Sequence, residues 1–345
     1  MKNSIKDVIV FPGQGFQSMK MLNTYVQQYC LEHGLYEILN DVLKDNKKLF
    51  QTKYAQPLIV AIQLAEYERY KKVNGKDKEP IFVGFSLGEI TALIASNTIS
   101  VEEGLKFVIK RGEESKRISE EKHQLRSGEE AKQLTYGVTK LDYTDELIRK
   151  IDEWNSTHSE FEQINITNYR PKEGTTPVDG QIIEDVTITG EYETLSSNIE
   201  FFGGVPEQET AKMQCPFHTT ALSELIPIQE KIFNETITDI NFGNIDKVFS
   251  TRTGKFYRKD ITKEKLSKVL GQYLVEPIQQ TKTLKYIKDN YGTSDILLTI
   301  CGEFMDSLKD QYTAVGGNSE RIKHIGDSLD LSQNFVETCR NMEWE

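Results

Sequence analysis

The chain has 345 residues, 37% of them hydrophobic and 28% charged, with only 9 Pro and 23 Gly. At about 150 residues per domain this allows two units, or one large domain carrying an insertion, and it sets the disordered and collagenous classes aside. A net charge of −11 repels phosphate backbones and anionic lipid heads, so neither nucleic acid nor a membrane surface is an expected partner. The longest apolar runs, such as Ile81 to Val83 and Ile296 to Ile300, fall far short of the roughly 18 to 20 residues of a membrane span. Val8 to Phe11, broken by Pro12-Gly13, is too short for the apolar region of a secretory leader, and a cytoplasmic location is expected. Cys30, Cys215, Cys301 and Cys339 show no C-x-x-C spacing. They read as reduced thiols, with no metal site implied.

The first element is a short strand, Val8 to Phe11, which runs into the turn Pro12-Gly13-Gln14-Gly15; in an α/β sheet the C-terminal end of a strand is where ligands sit. Helical periodicity follows, weakly over Tyr25 to Leu43 and more clearly in Leu58, Ile59, Ile62, Leu64 and Ala65. A second strand, Ile81 to Val83, enters Gly84-Phe85-Ser86-Leu87-Gly88-Glu89, after which Leu87, Ile90, Leu93 and Ile94 recur at helical spacing. Strand, sharp turn and helix make the βα unit of a parallel sheet. From Ser119 to Ala131 the chain becomes highly charged and poor in apolar residues, which reads as a surface connection and a domain edge. Beyond it come a strand over Leu134 to Val138, a helix near Tyr143 to Trp154, strands around Gln163 to Thr167 and Asp185 to Thr189, and a helix near Glu191 to Phe202. This β-α-β-β-α order fits a small ferredoxin-like insertion. The larger unit then resumes with a helix over Ala221 to Phe233, a strand over Lys247 to Ser250, a helix over Lys263 to Leu274 and a strand over Ile296 to Ile300. The expected division is 1–125 with 200–320 as the large unit, 126–199 as the insertion, and 321–345 as a peripheral tail.

Gly84-x-Ser86-x-Gly88 matches the nucleophile-elbow pattern, in which small residues on either side permit a strained strand-to-helix turn that exposes the serine hydroxyl. Ser86 would then sit at a helix N-terminus, where free N–H groups and the helix dipole stabilise developing negative charge. The Leu87 N–H is the natural oxyanion donor. A serine nucleophile needs a base, and the histidines are His33, His123, His158, His218 and His324. His218 follows the compact apolar bend Cys215-Pro216-Phe217 and is the best candidate, the other four lying in helix-end, charged or tail settings.

Phe11-Pro12-Gly13-Gln14-Gly15-x-Gln17, Gly84-Phe85-Ser86-Leu87-Gly88-Glu89, Arg111-Gly112, Pro216-Phe217-His218, Thr253-Gly254-Lys255 and Pro277-Ile278-Gln279 occur in the order and spacing of malonyl-CoA:acyl carrier protein transacylases, including the acyltransferase units of polyketide synthases. The chain resembles that family from about residue 8 to 310. The resemblance implies an α/β fold: an α/β-hydrolase-like large subdomain with a parallel sheet, plus an inserted ferredoxin-like α+β small subdomain. It implies a ping-pong reaction in which a serine takes a malonyl-type group from coenzyme A, or from a carrier, and passes it to the phosphopantetheine thiol of an acyl carrier protein. Ser86 corresponds to that serine and His218 to its base. Gln14 and the Leu87 amide correspond to the oxyanion site, and Gln279 to the residue whose carbonyl orients the histidine. Arg111 corresponds to the arginine that holds the substrate carboxylate, a task suited to a planar guanidinium that stays charged when partly buried. No tightly bound cofactor is implied; acyl-CoA is the donor substrate and the partner carries the phosphopantetheine.

Two positions depart from the family pattern. Phe85 replaces the usual His before the serine, which exchanges an imidazole for an apolar ring in the specificity pocket. Cys301-Gly302-Glu303 replaces a Gly-Pro-Gly near the end. Phe217 before His218 resembles the malonyl-selective pairing, and its bulk disfavours a branched α-carbon by only about 1 to 3 kcal/mol per methyl group. For docking an acidic carrier, the basic candidates are Arg69-Tyr70-Lys71-Lys72 and Lys282, Lys285 and Lys288. The competing readings are a hydrolase of the same fold that clears acyl groups from carriers, against which Arg111 argues, and a non-catalytic carrier-docking protein, against which the intact Ser86, His218, Gln14 and Arg111 argue.

Overall fold

The computed structural model describes residues 7–15, 17–74, 80–127, 136–205, 208–299 and 303–325. In chain order the elements are β1 (Val8–Phe11), α1 (Thr24–Glu32), α2 (Tyr36–Lys44), α3 (Thr52–Asn74), β2 (Ile81–Gly84), α4 (Gly88–Ala95), α5 (Val101–Ser127), β3 (Tyr136–Asp142), α6 (Asp145–Thr157), β4 (Asn165–Pro171), β5 (Glu184–Glu191), α7 (Tyr192–Ser197), β6 (Ala211–Met213), α8 (Leu225–Thr236), β7 (Val248–Ser250), β8 (Lys255–Phe256), α9 (Lys263–Gln272), β9 (Ile278–Gln279), α10 (Gln280–Tyr291), β10 (Ile296–Leu298), α11 (Glu303–Ala314) and β11 (Ile322–His324).

The strands form a six-stranded sheet of order β11-β10-β1-β2-β7-β8 and a five-stranded sheet of order β6-β3-β5-β4-β9. In the first sheet every pairing is parallel except β7 with β8. Its middle strands are apolar throughout because both faces are covered, β1 and β2 being buried at every position. One face packs on α1 to α5, α8 and α9 through Ile9, Phe11, Phe82 and Val248. The other packs on α10 and α11 through Val8, Val10, Val83 and Phe249. Register places Phe11 beside Gly84, so the β1 turn and the elbow after β2 emerge side by side at the C-terminal edge.

The second sheet carries β3, β5, β4 and β6 in antiparallel pairing, which with α6 and α7 completes the ferredoxin-like unit. Two of its strands lie outside the expected span of 126–199. β6 comes from residues 211–213, a three-residue and largely exposed strand with no apolar alternation to announce it. β9 comes from residues 278–279, far along the chain, and pairs parallel with β4. The expected surface connection over Ser119 to Ala131 is also corrected, since α5 continues to Ser127; the remaining residues to 131 lie outside those described. Charge pairs one helical turn apart sustain it there: Arg117 with Glu114 at 2.7 Å and with Glu121 at 2.6 Å. The expected tail begins later than residue 321, because Ile322 to His324 add an edge strand beside β10; residues 326–345 lie outside those described.

α5 carries Arg111 and α8 carries Gln229, and the two helices are joined by Phe107 and Phe233, both fully buried, with rings 5.5 Å apart in edge-to-face contact. Phe233→Ala is expected to lower stability by about 3 to 5 kcal/mol, the usual cost of emptying a buried aromatic site. Urea unfolding at constant slope checks this.

Candidate active site

Two glycines force the elbow. A Cβ on Gly84 would lie 2.2 Å from the Glu89 nitrogen, and one on Gly88 would lie 1.9 Å from the Phe11 carbonyl oxygen. Neither position accepts a side chain, so β1, β2 and the start of α4 close up on one another. The turn drives Ser86 to φ 54, in the left-handed region that non-glycine residues seldom occupy. Its hydroxyl faces a cavity of about 640 Å³.

His218 also has a positive φ, 65. Its Nδ1 lies 2.9 Å from the Glu276 carbonyl oxygen and its Nε2 lies 2.8 Å from Ser86 Oγ. A carbonyl can only accept, so Nδ1 carries the proton and Nε2 is left to accept from the serine hydroxyl. The family resemblance assigned the orienting carbonyl to Gln279, and that is corrected. The Gln279 carbonyl instead accepts from Thr283 Oγ1 at 2.9 Å, because β9 carries it past the histidine into the second sheet.

Around this pair, Gly13, Gln14, Gly15, Phe85, Phe217 and Cys215 line the cavity. The Gln14 turn is pinned by Gln17, whose Oε1 accepts from the Gly15 N–H at 2.7 Å and whose amide donates to the Leu49 carbonyl at 3.2 Å. Gln63 donates to the Pro12 carbonyl at 2.6 Å. Leu87 stands at the N-cap of α4, and its N–H has no acceptor among the described residues. It is free to serve an oxyanion. Phe85 is buried and meets Phe304 edge-on at 6.4 Å, so the site of the usual imidazole is an aromatic pair. Residues 301 and 302 of the Cys301-Gly302-Glu303 departure lie outside the described residues, and nothing is described of the Glu303 side chain.

Arg111 is 6% exposed. Its Nε donates to Gln229 Oε1 at 2.9 Å and its Nη1 to Gln56 Oε1 at 2.5 Å, and its guanidinium lies 5.3 Å from the centre of the Phe217 ring. No carboxylate pairs with it among the described residues. Burial lowers its pKa to about 10, so it remains a cation at neutral pH. The nearby Cys215 thiol is pushed up to about 12 by burial, so it does not supply the missing anion. Gln56, Gln229, Glu276 and Tyr273 escaped sequence reasoning. The one signal present was polar Gln56 inside the apolar run of α3.

The other histidines stand apart from Ser86: His33 ends α1, His158 stacks on Trp154 with ring centres 3.6 Å apart, and His324 lies in β11. Nothing is described of the His123 side chain. Among the docking candidates, Lys71 pairs with Glu68 at 2.5 Å, and Lys285 and Lys288 both reach Asp289, at 3.4 and 3.0 Å. Tyr70 is buried and donates to Asp7 at 2.7 Å. No described helix is long and apolar enough to cross a membrane.

Burial pulls the His218 pKa down to about 4, opposed by its main-chain hydrogen bonds to Glu276 and Tyr273 and reinforced by the Arg111 charge. The base is therefore neutral and ready above that value. The rate of Ser86 acylation is expected to be flat from about pH 6 to 8 and to fall only as pH approaches about 4. A pH series of kcat/KM with a small activated ester checks this.

Residues 33–139 match the acyl transferase domain family. The malonyl CoA-acyl carrier protein transacylase of Buchnera aphidicola is 33% identical over 112 residues, 29% of this chain and 36% of that protein. The polyketide biosynthesis malonyl CoA-acyl carrier protein transacylase PksC of Bacillus subtilis is 36% identical over 112 residues, 30% of this chain and 38% of that protein. The chain thus spans little more than a third of the length of these curated relatives. The solved FabD of Acinetobacter baumannii superimposes with a TM-score of 0.70 at 18% identity, covering 94% of this chain and 98% of that one. A malonyl-transacylase solved with a type II polyketide acyl-carrier protein gives 0.71 at 17% identity, covering 94% and 99%. The fold is that of the malonyl transacylases, and the resemblance read from the motifs is borne out.

Proposed function

We propose that this chain is an acyltransferase that moves a malonyl-type group, through an ester on Ser86, from coenzyme A to the phosphopantetheine thiol of an acyl carrier protein. The observation that carries the reading is a Ser–His pair at 2.8 Å with a buried arginine packed against Phe217 of the cavity wall, the described hydrogen bonds of its guanidinium going to neutral amides. An uncompensated buried cation is costly, and a substrate carboxylate supplies the absent charge. A simple acyl group would leave that cost standing, so the reading favours a dicarboxylic half-thioester over hydrolysis of ordinary acyl chains. Phe217, packed on Arg111, favours an unbranched α-carbon.

In the first half-reaction Ser86 Oγ attacks the thioester carbonyl as His218 Nε2 takes the hydroxyl proton. The negative charge on the carbonyl oxygen is met by the Leu87 N–H and Gln14. The C–S bond then breaks, and the leaving thiolate takes the proton from His218. The second half-reaction runs in reverse: a carrier thiol gives its proton to His218 and attacks the Ser86 ester, restoring the hydroxyl. The helix N-terminus at Leu87 favours the anion in both. No resident cofactor enters this scheme, and a cytoplasmic setting, where coenzyme A thioesters are available, suits it.

Intact-protein mass spectrometry after incubation with malonyl-CoA is expected to show one malonyl adduct on the wild type and none on Ser86→Ala. Addition of a phosphopantetheinylated carrier should discharge the adduct faster than water does; discharge to water at the same rate would overturn the transferase in favour of the hydrolase. Arg111→Ala is expected to lower kcat/KM for malonyl-CoA by tens- to thousands-fold, the loss typical when one partner of a buried charge pair is removed, while acetyl-CoA is affected far less.

A further inference from the structure

Among the described residues no carboxylate stands behind the Ser86–His218 pair, where His218 Nδ1 meets a main-chain carbonyl, and both residues hold left-handed backbone, φ 54 and φ 65. Such conformations persist only where surrounding structure over-determines them. One short segment, Tyr273 to Glu276, supplies the contacts. The His218 N–H donates to the Leu274 carbonyl at 2.6 Å, and its Nδ1–H donates to the Glu276 carbonyl at 2.9 Å. The Tyr273 ring stands edge-on to the imidazole, centres 5.3 Å apart at 77°. The Tyr273 hydroxyl oxygen accepts from the Ser86 N–H at 3.0 Å.

We propose that Tyr273 is a positioning residue for acylation, its phenol setting the elbow and its ring setting the base. The proposal rests on Ser86 being the nucleophile. Its hydrogen-bond direction follows from donor counting. Thr251 Oγ1 donates to the Gly84 carbonyl at 2.9 Å, which can only accept. The short contact between Thr251 and Tyr273 therefore has the phenol as donor. The chain of bonds runs from the Ser86 N–H to Tyr273, then Thr251, then the carbonyl of Gly84, closing a ring on the elbow itself. Two further bonds hold the ring in register: the Thr251 N–H donates to Glu89 Oε2 at 3.3 Å, and Arg252 pairs with the Glu276 carboxylate. Because the Ser86 N–H is taken by the phenol, the oxyanion is left to Leu87 and Gln14.

Tyr273→Phe removes the acceptor and strands a buried N–H at the strained residue. The expected result is a fall of about 10- to 100-fold in the rate constant of Ser86 acylation, the scale produced by a small displacement of a reacting group, with KM for malonyl-CoA changed less than about twofold. Thr251→Val should give the same defect, Thr251→Ser should restore the rate, and Tyr273→Phe with Thr251→Val should be no worse than either alone, since they break one chain. The measurement is the burst of p-nitrophenol from p-nitrophenyl acetate alongside single-turnover malonyl transfer. A wild-type burst at Ser86 with an equal burst in Tyr273→Phe overturns the positioning role and leaves the reaction reading intact. Additive losses, or a loss in KM alone, also overturn it. A wild-type burst without malonyl adduct overturns the malonyl reading and not this one, and absence of any Ser86 burst overturns both. Thermal unfolding of each variant separates a misfolded protein from a misplaced serine, and Thr251→Ser keeps the test decisive should Tyr273→Phe fail to fold.

Discussion

The strained turn at Ser86 is the constraint on which the other features of the site depend. Gly84 and Gly88 allow β1 and α4 to approach so closely that a methyl group would meet backbone at 2.2 and 1.9 Å. That approach brings the Gln14 turn alongside the serine: a Cβ on Gly13 would lie 3.0 Å from the Ser86 Cβ. It also presents the serine at the start of a helix whose first amide has no other acceptor among the described residues. Nucleophile, oxyanion donors and helix dipole are thus consequences of a single close packing. The cost is a left-handed serine, of order 1 to 3 kcal/mol, sustained by the continuous apolar packing of β1 and β2 beneath it.

At Arg111 opposite charges are kept apart, whereas Arg170 of the cavity wall pairs with Glu173. Arg111 is solvated by Gln56 and Gln229, which stabilise a guanidinium without neutralising it. Gln229 is itself held, donating to the Leu270 carbonyl at 2.7 Å, and Gln56 donates to Thr52 Oγ1 at 2.9 Å. Both oxygens are therefore aimed in advance, and little reorganisation is needed when an anion enters. Glu89, the acid of the elbow motif, is fully buried and hydrogen-bonded by Tyr257 and Thr251. Burial pushes its carboxyl up to about 7. It is spent on the brace and is not a counter-charge for Arg111.

Much of this was legible in the sequence, because the elbow and the parallel strands are local: their signals lie in adjacent residues and a continuous apolar run. Ser86 and His218 could be named from motif and chemistry, and Arg111 from the family resemblance. What escaped detection is set by contacts between distant segments. Ala211 to Met213 have no strand pattern and become β6 only because β3 offers an edge. The carbonyl that orients His218 belongs to Glu276 and not Gln279, since a main-chain acceptor leaves no mark on residue type. Tyr273 reads as one more helix-end aromatic, and only its distance to the Ser86 nitrogen shows otherwise.

Gln279 joins the segment that holds the histidine to the second sheet. Its N–H donates to the Thr251 carbonyl at 2.9 Å, while its strand pairs with Asn168 and Tyr169 of β4. The residue that follows it, Gln280, accepts from the Asn168 side chain at 2.8 Å. The segment that holds the histidine therefore runs directly into the second sheet, and that sheet supplies the opposite wall of the cavity through Val138, Thr167, Thr187 and Thr189. The second sheet is thus joined in sequence, through β9, to the segment that holds the base, and is also a wall of the cleft.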